Sequence, residues 1–248
     1  MPTYDGYNYD KFRELALDST LSVYQKIGFP DSYRADKGNL IVEDICAKLP
    51  SLRGKRELNV LDIGPGCSDV QSKIQDICYQ QGHKLFLADS PEMLALLGDL
   101  PSFVTSIPGF FPDTSEEILK NSGGIDIICC YSVFHCIYAE ANAWAFIDAI
   151  MTLMRNGGEA LIGDIPNNSK RRRFFSSPNG IRFHQKFMKT DTLPEINDTS
   201  FENGKINDAV LISVVLYCHS LGFDAYVVPQ HSQLPFANRR DDIIIRKP

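Results

Sequence analysis

The spacing of apolar positions along the chain changes character at residue 57. Before it, Phe12, Leu15, Ala16, Ser19, Val23 and Ile27 recur at intervals of three and four, which predicts a helix over residues 8–27. Gly28-Phe29-Pro30 ends that pattern, because glycine caps a helix and proline cannot continue one. A second helix over 36–48 places Leu40, Ile41, Ile45 and Leu49 on one face. From residue 57 onward the apolar positions form short runs instead: Glu57–Gly64, Leu85–Asp89, Ile125–Cys130, Glu159–Gly163, Phe223–Val228 and Asp242–Arg246, with a weaker run at Phe103–Ile107. Helical periodicity returns over 68–81, 91–99, 114–121, 139–155 and 207–221. Strands alternating with helices predict an α/β fold with a mostly parallel, doubly wound sheet. No helix separates the last two runs, so they are expected as an antiparallel pair at the sheet edge. Residues 165–206 have no clear period and are too long for an ordinary connection, which marks a functional insertion or lid.

Charge narrows the function classes. The chain carries a net charge of −6, which argues against a sequence-independent nucleic-acid binder. Its seven cysteines form no Cys-x-x-Cys pair, so neither a disulfide framework nor a metal knuckle is signalled, and a reducing cytoplasm is expected. The N-terminus does not read as a secretory signal. The apolar stretch Ile125–Tyr138 contains Asp126 and His135 and is short for a membrane span, so no membrane partner is expected.

The sharpest local signal is Val60-Leu-Asp62-Ile-Gly64-Pro65-Gly66-Cys-Ser68, a strand running into a glycine turn and then a helix. Glycines allow a ligand close to the backbone, and the helix start offers free N–H groups. Asp69 stands where the third glycine of a dinucleotide fingerprint belongs, and a carboxylate there repels a pyrophosphate. The turn suits a cationic or zwitterionic ligand better. Asp89 closes the second strand, where an acid can accept hydrogen bonds from a ribose, and Ser90-Pro91 starts the next helix. Taken alone, Asp89 or Ser90 reads as a helix cap.

Together these segments resemble the class I S-adenosylmethionine-dependent methyltransferases. The likeness rests on Asp62-Ile-Gly64-Pro65-Gly66-Cys-Ser68, on Asp89-Ser90-Pro-Glu-Met93-Leu, on Cys129-Cys-Tyr131-Ser132-Val-Phe-His135-Cys and on Met154-Arg-Asn-Gly-Gly158-Glu-Ala-Leu-Ile. It covers roughly residues 57–164 and 207–248. It implies a Rossmann-like sheet of seven strands and S-adenosylmethionine as cofactor. Asp62 would face the cationic end of that cofactor and Asp89 its ribose. Met93, Phe110 and Phe111 would line the adenine, with core packing an equal alternative for the aromatics. Tyr131 and Ser132 would lie where the methyl group sits. Residues 1–56 are then an N-terminal helical cap, and 57–248 a catalytic domain with the lid-like insertion 165–206.

Methyl transfer from a sulfonium needs alignment, exclusion of water and sometimes removal of a proton. His135 and Asp164 are the candidate bases, with Tyr131 beside them. The Cys129, Cys130, His135, Cys136 group is not read as a metal site, because adjacent strand residues face opposite sides. No Asn-Pro-Pro-Tyr-like sequence follows the fourth strand, which favours O-methylation over N-methylation. Seven basic residues and no acid lie between Lys170 and Lys189, leaving 18 basic against 31 acidic residues elsewhere. Arg171, Arg172, Arg173 and Arg182 are therefore candidates for binding an anionic acceptor such as a sugar phosphate, with a solvated loop as the alternative. The expectation is a cytoplasmic methyltransferase acting on a small polar, anionic acceptor. An RNA or protein methyltransferase and a catalytically inactive cofactor-binding regulatory protein are the rivals.

Overall fold

The computed structural model describes residues 8–196 and 204–248. The chain opens with helices α1 (Tyr9–Leu17), α2 (Val23–Lys26), α3 (Asp31–Arg34), α4 (Gly38–Lys48) and α5 (Ser51–Gly54). Then follow β1 (Asn59–Ile63), α6 (Asp69–Gln81), β2 (Lys84–Asp89), α7 (Pro91–Ala95), β3 (Val104–Pro108), α8 (Ser115–Ser122) and β4 (Ile125–Tyr131). After these come α9 (Phe134–Glu140), α10 (Ala143–Leu153), β5 (Met154–Pro166), α11 (Asn168–Phe175) and α12 (Pro178–Met188). The chain closes with α13 (Asp208–Ser220), β6 (Asp224–Pro229) and β7 (Arg240–Arg246).

The strands form one seven-stranded sheet in the order β3-β2-β1-β4-β5-β7-β6. The first five are parallel to their neighbours, and β7 runs antiparallel to both β5 and β6. The last two strands thus form the expected antiparallel edge pair. Period-two alternation sends successive side chains to opposite faces although nearly all are buried. Leu61, Ile63, Ile128 and Cys130 join the core shared with α10 and α13. Val60, Ile127 and Cys129 join the core shared with α4 and α6.

Four expectations are revised. The helix over 8–27 is broken, because Asp18 accepts from Thr20 N and Oγ1 and turns the chain. Ser22 and Gln25 then form a capping box that starts α2 afresh. The segment over 139–155 is likewise two helices, since Asn142 caps α10 by accepting from the backbone of Trp144 and Ala145. The helix expected over 91–99 stops at Ala95. Residues 165–206 hold regular structure: β5 extends to Pro166, Asn167 caps α11, and Ser177 with Pro178 starts α12. Residues 1–7 of the expected cap and 197–203 of the expected insertion lie outside the described residues.

Candidate active site

A cavity of about 370 Å³ opens at the carboxyl ends of β1, β2 and β4, where ligands bind in sheets of this topology. It is lined by Asp62, Gly64, Pro65, Gly66, Asp89, Met93, Phe110, Phe111, Tyr131 and Ser132, all singled out from the sequence. Ser90 is not part of the lining; its buried hydroxyl caps α7 by accepting from Met93 N. The helices before the sheet add wall residues that no ligand-binding motif marks, among them Tyr9 and Phe12 of α1, then Tyr24, Ile27, Phe29 and Arg34.

Gly64 and Gly66 both have left-handed backbones, φ +65° and +62°. A Cβ on Gly64 would stand 2.5 Å from Val133 Cγ2, and one on Gly66 2.7 Å from Ile27 Cγ2. The turn is therefore closed to side chains both by conformation and by packing. Asp89 accepts from Gly66 N at 3.2 Å and from Ser90 N at 2.7 Å. Burial nevertheless pushes its carboxyl up to about 6. Asp62 is 4% exposed, and burial together with the Asp89 charge raises it to about 7. No described residue donates a hydrogen bond to Asp62, so this pair of acids is set to accept a cation or hydroxyl groups from a ligand.

The helices before the sheet cover this cavity. The Tyr9 ring meets Phe110 edge-on at 5.1 Å. The Arg13 guanidinium grips both oxygens of Glu92, at 3.0 and 2.7 Å, joining α1 to α7. Arg34 crosses to the far side, where Nη2 donates to Ser132 Oγ at 2.8 Å and to Asp164 Oδ2 at 2.6 Å.

Asp164 is the centre of a buried network. Its carboxylate accepts from Arg34, Arg240, Ser132 and Gln230, and its backbone N donates to Asp242 Oδ1 at 2.8 Å. Asp242 in turn bonds Lys48, which also holds Asp44, each at 2.6 Å. Burial favours the neutral acid, but Arg240 and Arg34 overcome it and hold Asp164 at about 2. Asp164 is thus held as a carboxylate by its arginines. Tyr131 is pushed well above its ordinary value by burial and by Asp164, so it acts as a neutral phenol. His135, one residue into α9, is half-buried and its Nδ1 has no hydrogen-bond partner. Burial and the Arg240 charge push it down to about 4, keeping the imidazole neutral.

Of the four arginines expected to bind an acceptor, none lines the cavity. Arg173 pairs with Asp208, Arg171 lies over the Phe175 ring, and Arg182 donates to Asn179. Arg172 belongs to the same helix, α11, which packs against α12 and α13. Charge density along the sequence pointed to these arginines, whereas Arg34, the arginine that lines the cavity, has no basic cluster around it in the sequence. Among the described residues no three His, Cys, Asp or Glu side chains converge as metal ligands would. No helix of the described residues is long and apolar enough to cross a membrane.

No family model and no curated protein sequence matches the chain. Solved structures do. The plantazolicin methyltransferase BpumL, in complex with a triazolic desmethylPZN analog and SAH, gives a TM-score of 0.57 at 12% identity, over 97% of this chain and 100% of that one. An O-methyltransferase family protein from Burkholderia thailandensis gives 0.56 at 14% identity, over 99% of this chain and 65% of that one. The N-methyltransferase NodS from Bradyrhizobium japonicum WM9, in complex with S-adenosyl-l-homocysteine, gives 0.56 at 14% identity, over 97% and 98%. The fold is the Rossmann-like fold of these methyltransferases.

Proposed function

We propose that the chain is an S-adenosylmethionine-dependent methyltransferase acting on a small, polar, anionic acceptor, with oxygen favoured over nitrogen as the methylated atom. One observation carries this reading: two buried acids, Asp62 and Asp89, flank a glycine turn whose Gly64 and Gly66 leave no room for side chains, at one cavity. The residues present fit the cofactor. Asp62 offers an unpaired carboxylate to a cation, Asp89 reaches a ribose, and Met93 and Phe110 supply apolar contact for an adenine. When bound, the cofactor supplies an electrophilic methyl group on a sulfonium.

The chain's own residues then have three tasks. The helices of residues 8–54 act as a cap that excludes water, through Tyr9 on Phe110 and Arg13 on Glu92. Tyr131 and Ser132, at the end of β4, orient the acceptor, the tyrosine as a hydrogen-bond donor. His135 does not line the cavity, but its buried Nδ1 has no partner and its imidazole stays neutral, so it receives the acceptor proton while Asp164 is committed to its arginines. The α11–α12 hairpin covers the acceptor side from outside, where Phe187 reaches Tyr33 of α3 at 5.9 Å.

Calorimetry tests the cofactor directly. S-adenosylmethionine and S-adenosylhomocysteine should bind with a stoichiometry of one, and NAD should not. Binding of NAD without response to either sulfur compound overturns the reading. Mass spectrometry of a metabolite extract incubated with the protein and isotopically labelled S-adenosylmethionine would identify the acceptor.

A further inference from the structure

Beside the cavity, two enclosed guanidiniums meet on a single carboxylate. Arg34 is 8% exposed and lines the cavity with Tyr131 and Ser132. Arg240 does not itself line the cavity but is nearly as enclosed, and both guanidiniums converge on the same oxygen of Asp164. The next carboxylate, Asp242, is already bonded to Lys48. Two guanidiniums thus share one negative charge. Arg239, adjacent in sequence, has no carboxylate partner among the described residues and lies over Phe236 at 4.6 Å.

The donors are also only partly spent. Both bonds made by Arg34 come from Nη2, leaving Nε and Nη1 unbonded, and Nε is fully buried without a partner. Arg240 uses only Nη1, on the Asp164 carboxylate and carbonyl. Aromatic rings fix both planes: Arg34 Cζ lies 3.9 Å from the Phe29 centroid, and Arg240 Cζ 4.6 Å from that of Phe236. Desolvated guanidiniums held against aromatic rings, with N–H groups unused, suit the oxygens of a carboxylate or phosphate.

We propose that Arg34 and Arg240, bridged by Asp164, form the seat for an oxyanion carried by the acceptor, either a carboxylate or a phosphate. This rests on the methyltransferase reading and assigns its acceptor subsite to arginines far apart in sequence, not to the α11 cluster. The seat belongs to the acceptor because of its place in the sheet. In the order β2-β1-β4-β5, Asp164 on β5 is three strands from Asp89 on β2, roughly 14 Å at the usual strand spacing.

Inorganic phosphate, and separately acetate, would be titrated calorimetrically at low ionic strength into the full chain, with and without saturating S-adenosylhomocysteine. One site is expected for at least one of the two anions, with affinity unchanged by S-adenosylhomocysteine. Asp164→Asn removes the competing charge and should tighten anion binding about tenfold or more, a gain that misfolding cannot imitate. Arg240→Gln should weaken it by a similar factor. Replacing Arg171, Arg172 and Arg173 together by Ser should leave it unchanged. Failure of both anions to bind the unmodified chain, or no gain in Asp164→Asn, overturns the proposal. Displacement by S-adenosylhomocysteine overturns it too, by giving the seat to the cofactor's own carboxylate. Binding of S-adenosylhomocysteine itself, read in the same titrations, tests the methyltransferase reading separately.

Discussion

Ser132 donates its hydroxyl hydrogen to Asp164, tying the ends of β4 and β5 together, and both residues hold left-handed backbones, φ +64° and +59°. Non-glycine residues adopt that conformation only where the surroundings compensate for it, and such strain collects at functional sites. Here two arginines and a glutamine complete the compensation. Removing the carboxylate should therefore be costly. Asp164→Ala leaves two buried guanidiniums without their anion, and a loss of about 3–5 kcal/mol is expected in chemical denaturation. A loss below ~1 kcal/mol, the scale of an exposed ion pair, would mean the network is not closed in solution.

Proton uptake should report on the paired acids. Asp62 and Asp89 keep protons up to about 7 and about 6 in the folded chain, whereas an unfolded carboxylate releases its proton near ~4. Between those values the native state holds more protons, so stability of the ligand-free chain should fall as pH rises. A bound cation reverses the preference. S-adenosylmethionine binding near pH 6.5 should release protons, measurable by calorimetry in buffers of different ionisation enthalpy. Asp62→Asn should remove most of that release, and its persistence would separate Asp62 from the cation.

Cofactor affinity should depend on Asp89 through hydrogen bonding. Asp89→Ala also deprives Gly66 N of its acceptor. A weakening of ~1.5–3 kcal/mol is expected, the scale of hydrogen bonds to a charged group. Unchanged affinity would reduce Asp89 to the start of α7.

His135 makes a kinetic prediction. Its folded pKa is about 4, below the ordinary imidazole value, so the neutral form persists well into acid. With an acceptor in hand, the acid limb of the pH–rate profile should lie near that value and not near neutrality. His135→Ala should lower kcat by about 10²–10⁴ with cofactor affinity intact. A near-normal rate would leave alignment as the source of catalysis.

The clasp between Arg13 and Glu92 tests the cap. The arginine side chain is 43% exposed and its partner 18%, so the pair is screened by salt. Arg13→Ala should speed cofactor dissociation severalfold in stopped-flow measurements, and added salt should reduce the difference from the unmodified chain. Equal dissociation rates would show that α1 does not hold the ligand.

The strands, the glycine turn and Asp89 were legible because each depends on a short window: apolar runs, backbone freedom at Gly64 and Gly66, an acid at a strand end. Local chemistry could also have divided the helix over 8–27, since Ser22 and Gln25 carry the capping-box spacing, and Ser177-Pro178 marks the start of α12. No window contains the meeting of Arg34 with Asp164, 130 residues apart, or of Arg240 with the same carboxylate, 76 residues away. Those contacts exist because crossovers place β4, β5 and β7 side by side and the helices before the sheet fold back over their ends. The same packing decides ionisation. His135 and Asp164 looked alike as candidate bases, since sequence lists which groups can titrate. Burial and neighbouring charge, set only when distant segments pack, hold one as a neutral imidazole and the other as a fixed anion.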